Sequence, residues 1–288
     1  MRKRVVLQTF LGALLLAPAL AAQADGGSRY ATLDGGRVHY RSYGRGREAM
    51  VLIHGWTCNL DNWRDQIADL SKRGRVLALD LPGHGESDKP EVSYSMDRFA
   101  RAVEAVMRDA GVGHAVLIGH SMGTPVARQF YRRHPDQTLG IVIVDGPLVP
   151  FFSAGGMDSL LIALSGPGYR QMGDAMLAAF AGPGATPELL ARVRASFLHT
   201  PQHVVVGAMR GLADPSIWTA DTIAVPVLAI LAGSRSYPPD IEQRNRRIAP
   251  KLEQQLWTGV GHFLMMEQPK RFNDAVIAWL DANGLLQR

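Results

Sequence analysis

Apolar residues follow two alternating rhythms along this chain. Short, nearly unbroken apolar runs recur at residues 49–53, 75–79, 115–118, 140–144 and 225–231. Runs of that length with no polar face predict strands covered on both sides, as in a parallel sheet. Between them the spacing shifts to threes and fours. Trp63, Ile67 and Leu70 share a face within residues 59–72, and Phe99, Val103, Val106 and Met107 share one within residues 95–110. Both stretches predict amphipathic helices. Residues 124–134, 241–248 and 269–280 predict three more, and residues 251–257 lead into a last short strand. Ahead of these, residues 30–43 alternate in part around Val38-His39-Tyr40, with Asp34-Gly35-Gly36 as the turn of a hairpin. Strands alternating with helices predict one α/β domain with a mostly parallel sheet.

Two stretches break the rhythm. From residue 146 to 222 strand-like runs thin out, and Gly, Pro, Met and Ala accumulate. Residues 160–164, 169–180, 187–198 and 201–212 read there as helices. At the other break, Met1-Arg2-Lys3-Arg4 precedes a mostly apolar segment that ends in two small-x-small sites, Ala19-Leu20-Ala21 and Ala22-Gln23-Ala24. That is the pattern of a secretory signal peptide over residues 1–24. Its strongly apolar part is short for a bilayer span of about 20 residues, so no stable membrane anchor is expected after cleavage. A periplasmic or secreted protein is expected.

Composition narrows the picture. Removing the leader leaves about 264 residues, enough for one large domain with an insertion. The formal charge of +5 includes three basic residues of the leader. What remains, about +2, is too small to suggest a nucleic-acid partner. Cys58 is the sole cysteine, so no internal disulfide forms and packing must supply the stability. No cluster with metal-ligand spacing is visible, and neither a metal nor a cofactor is expected.

The chemistry centres on Gly119-His120-Ser121-Met122-Gly123, between an apolar strand and a helix. A sharp turn there lifts the serine hydroxyl clear of the backbone, and larger side chains two residues either side would collide. Ser121 then stands at a helix start, where unpaired N–H groups favour negative charge. His54-Gly55-Trp56 closes the strand at 49–53. Asp80-Leu81-Pro82-Gly83-His84-Gly85-Glu86-Ser87 follows the strand at 75–79 and reads as a rigid turn rather than a catalytic Asp80–His84 pair. Gly261-His262-Phe263 sets a histidine in a glycine-flanked loop late in the chain.

Together these four motifs resemble the α/β-hydrolase fold superfamily, in its branch of esterases, lactonases and haloperoxidase-like enzymes. The resemblance covers nearly all of the chain after the leader, in the family's motif order. It implies an eight-stranded, mostly parallel sheet flanked by helices, with core segments 25–145 and 223–288 and a helical cap at 146–222. Phe151, Phe152, Met157, Met172, Met176, Phe180, Phe197 and Met209 are candidates to line a pocket beneath that cap. The resemblance implies Ser121 as nucleophile, His262 as base, and the Trp56 and Met122 amides as oxyanion donors.

The acid departs from the usual pattern. Where relatives carry Asp in the loop after the strand at 225–231, this chain reads Gly233-Ser234-Arg235-Ser236-Tyr237, with Ser236 at the acid's position. Asp145, ending the strand before the cap, is the first substitute and Asp240 the second. The resulting expectation is a hydrolase of a small-molecule carboxylic ester, thioester or lactone. Epoxide hydrolases and haloalkane dehalogenases of this fold carry a carboxylate where Ser121 stands. A catalytically weakened ligand-binding homologue and a cofactor-free haloperoxidase or perhydrolase are the alternatives.

Overall fold

The structure is a computed structural model that describes residues 25–150, 154–233 and 237–286. The leader, Phe151, Phe152 and Ser236 lie outside the described residues. Eight strands form one sheet in the order β1-β2-β4-β3-β5-β6-β7-β8. The hairpin is β1 (Asp25–Leu33) and β2 (Gly36–Tyr43), joined by Asp34 and Gly35, both at positive φ. That is the geometry a two-residue turn needs to match strand twist. β2 pairs antiparallel with β1 and with β4 (Arg75–Leu79). The remaining pairs are parallel and involve β3 (Ala49–Ile53), β5 (Ala115–His120), β6 (Thr138–Val144), β7 (Val227–Ala232) and β8 (Leu252–Trp257).

The continuous apolar runs are explained by burial on both faces. Val51, Ile53, Leu117 and Ile143 point to one core, and Leu52, Ile118, Val142 and Val144 to the other, as the two-residue period of a strand requires. Helices α2 (Met96–Asp109) and α3 (Gly123–Arg133) cover the first side through Phe99, Val103, Val126 and Phe130. The second is covered by α1 (Arg64–Arg73) and, after the insertion, by the closing helix, with Leu70, Phe272, Val276 and Leu280 inward. Leu60–Trp63, expected to be the first turn of α1, is a separate 3-10 turn capped by Asn59.

Between β6 and β7 lie α4 (Ala154–Ser165), α5 (Tyr169–Phe180), α6 (Pro187–His199) and α7 (Gln202–Ala213). After β7 come α8 (Ile241–Ile248), α9 (Leu264–Glu267) and α10 (Pro269–Ala282). The four-residue α9, immediately past His262, was not expected, because one turn is too short to show a period.

Candidate active site

Ser121 is the first residue past β5 and adopts φ of +51°. Left-handed backbone is unfavourable for a residue with a side chain, and the neighbours hold it in place. Its N–H donates to the Val144 carbonyl at 2.9 Å. A Cβ at Gly119 would overlap the Gly123 carbonyl, and one at Gly123 would overlap the carbonyl of Ile53. The small residues are therefore a steric condition of the turn. Asp145 repeats the conformation one strand over, with φ of +44° directly past β6.

The Asp145 carboxylate is buried and heavily engaged. One oxygen accepts from the Ala232 N–H at 2.8 Å and from the Tyr237 hydroxyl at 2.6 Å. The other accepts from His262 Nδ1 at 2.6 Å. An ionised carboxylate there sets the imidazole tautomer, protonated at Nδ1 and basic at Nε2. Asp240 is far less suited. It is exposed at the start of α8 and paired with Arg244 at 2.9 Å, and the hydrogen bond from that guanidinium holds it below its ordinary value.

Ser121 and His262 line one cavity, about 490 Å³ including its open mouth. Its apolar wall includes Trp56, Met176, Phe180 and Phe197, and the Asp174–Arg194 ion pair also lines it. Three of the eight candidate lining residues thus reach the cavity. Met157 and Met209 are buried in helix packing instead, and Met172 packs against the same core. The Trp56 and Met122 main-chain N–H groups make no hydrogen bond among the described residues. The Trp56 indole N–H donates to the Val205 carbonyl of α7 at 2.9 Å, which ties this loop to the inserted helices.

His120 serves the site structurally. Its Nε2 donates to the His262 carbonyl at 2.9 Å, and the two rings lie 4.7 Å apart. Burial drives its pKa down to about 3, so it stays neutral. Cys58, also on the cavity lining, is pushed up to about 12 by burial and stays a thiol. Asp80 pairs with His39, at 2.7 Å, and also accepts from the Leu60 and Glu86 amides. His84 instead meets the Pro82 carbonyl at 3.0 Å, so the motif at 80–87 is a structural turn.

A family profile for the alpha/beta hydrolase fold matches residues 48–165. The topology, the left-handed serine turn and this match agree. The chain has the α/β-hydrolase fold. The chain is 36% identical over 126 residues to the dihydrolipoyllysine-residue acetyltransferase component of the acetoin cleaving system of Cupriavidus necator. That match covers 43% of this chain but only 34% of that protein. It is 25% identical over 266 residues to 2-(acetamidomethylene)succinate hydrolase of Mesorhizobium japonicum, covering 87% of this chain and 94% of that one. Among solved structures it is similar to Est816, described as an N-acyl homoserine lactone degrading enzyme. The TM-score is 0.76 and the identity 26%, over 87% of this chain and 99% of that one.

Proposed function

We propose that this protein is an exported serine hydrolase of a carboxylic ester, thioester or lactone, working through Ser121, His262 and Asp145. The observation that carries the reading is the 2.6 Å His262–Asp145 hydrogen bond beside the cavity that Ser121 also lines. The match to the alpha/beta hydrolase family supports the hydrolase class, and similarity to the lactone-degrading Est816 supports an ester-like carbonyl substrate. In this reading Ser121 Oγ attacks the carbonyl carbon while His262 Nε2 takes its proton. The developing oxyanion sits between the Trp56 and Met122 amides, and Asp145 stabilises the imidazolium. His262 returns the proton to the leaving alkoxide or thiolate, and water then releases the acyl group by the same steps. The Asp145 carboxylate at the end of β6, bonded to His262, supports this reading over the binding-only homologue that Ser236 suggests.

The test is hydrolysis of a p-nitrophenyl ester and lactone panel, with Ser121→Ala in parallel. Turnover that falls by about 10⁶-fold in the variant is expected, together with fluorophosphonate labelling of wild type alone. Equal rates and no labelling would sink the proposal. Export is tested by N-terminal sequencing of the protein from the cell envelope, which should begin at Ala22 or Asp25.

A further inference from the structure

The loop that carries His262 meets the inserted helices backbone to backbone. The His262 N–H donates to the Phe180 carbonyl, at the end of α5, at 2.9 Å. A Cβ at Gly182 would overlap the Gly261 nitrogen, and one at Gly261 would overlap the Gly182 nitrogen. Two amides brought this close cannot satisfy each other, because both are donors. One side chain reaches in to accept both. Glu267 Oε1 accepts from the Gly182 N–H at 3.2 Å and from the Gly261 N–H at 3.1 Å, and Oε2 lies 3.0 Å from the Gly261 nitrogen.

We propose that Glu267 is a positioning residue for His262, pinning the histidine loop and the end of α5 into one unit. The proposal rests on the hydrolase reading above. Gly261 directly precedes His262, so a carboxylate on its amide fixes the backbone from which the imidazole projects. Bonds to an ionised acceptor are the stronger kind for this task. On the other side of the seam, the Phe180 ring lies tilted against the His262 ring, with centroids 4.6 Å apart, and lines the cavity. Base and pocket wall therefore share one support. Loss of Glu267 leaves these two facing donors without their side-chain acceptor and the His262 N–H bond to Phe180 as the remaining main-chain tie across the seam.

The test uses the full protein with Glu267→Ala, Glu267→Gln, Ser121→Ala and His262→Ala. Its first readout is the far-downfield proton resonance of the His262–Asp145 hydrogen bond, and its second is kcat and KM on the best ester. The resonance should persist in wild type and Ser121→Ala and vanish in His262→Ala. Glu267→Ala should shift or broaden it and lower kcat about 100-fold, the scale of a 1 Å misplacement. Glu267→Gln keeps an Oε1 acceptor and should stay within about tenfold of wild type. A Glu267→Ala protein with a wild-type resonance and kcat would overturn the proposal. Should that variant not fold, Glu267→Met, which keeps the length of the side chain without an acceptor, takes its place, an unshifted resonance with wild-type kcat again overturning the proposal. If wild type turns over no ester or lactone and takes no fluorophosphonate label, the hydrolase reading fails, and the resonance still decides whether Glu267 positions the ring.

Discussion

Two buried aspartate–histidine pairs stand at the carboxyl ends of parallel strands in this molecule. Asp145 follows β6 and holds His262 at 2.6 Å; Asp80 follows β4 and holds His39 at 2.7 Å. Each carboxylate also accepts main-chain N–H groups, from Ala232 in one case and from Leu60 and Glu86 in the other. The His39 ring meets Ser28 on its far side at 3.0 Å, so even the order serine, histidine, aspartate recurs. What separates them is placement. His262 shares a cavity with a serine on a left-handed turn at a helix start, whereas Ser28 lies in the edge strand β1. An Asp–His pair is a common way to fix a loop, and it becomes chemistry only when the ring faces a raised nucleophile and amides with no other acceptor.

Exchanging one atom in each pair gives the largest expected contrast. Asp145→Asn should lower kcat by about 10³–10⁴-fold, because the amide favours the wrong imidazole tautomer. Asp80→Asn should leave kcat within about threefold and instead cost about 3–5 kcal/mol of stability, read by urea unfolding. Burial would raise the Asp80 pKa, but the His39 hydrogen bond and the nearby donors hold it below its ordinary value, so that carboxylate does structural service as an anion. Equal activity losses in the two variants would break the distinction.

A smaller effect sharpens the description of the active pair. Tyr237→Phe removes one of the donors to Asp145 and keeps the ring. It should cost about tenfold in kcat, equivalent to one hydrogen bond to a charged group, with little change in melting temperature.

The smallest effect is one the two neighbourhoods share. His84 lies near Asp80 and His120 near His262, and burial lowers both from the ordinary imidazole value of 6.5 to about 3. His54 is lowered by burial as well. Between pH 6.5 and 3 the unfolded chain therefore binds more protons than the folded one, so stability is present above pH 6.5 and declines as the pH falls. Urea midpoints across this window should follow that slope. His84→Asn and His120→Asn should each reduce it by about one proton, and only the second should also touch activity.

Legibility in the sequence followed the range of the interactions. The sheet, most helices and the serine turn were readable because period, turn residues and the Gly119–Gly123 collision are local. Asp145 was readable as a candidate, since it ends an apolar run beside the strand of Ser121. Its advantage over Asp240 was not, because that rests on Ala232, Tyr237 and His262 converging from 87 to 117 residues away. The His39–Asp80 pair and the Trp56–Val205 bond were hidden for the same reason. Glu267 was missed because a single helical turn leaves no periodic trace. Its position five residues past a histidine of known interest was the one available signal.

The paired left-handed turns also bear on how the protein is made. Ser121 and Asp145 each lie one residue beyond adjacent strands whose last partners are His120 and Val144. A slip of one residue between β5 and β6 would turn every side chain of one strand to the opposite face and carry Ser121 and Asp145 to different levels. For the proposed hydrolase, activity regained on refolding therefore requires correct alignment of these two strands, a feature that ordinary spectroscopy of secondary structure does not report.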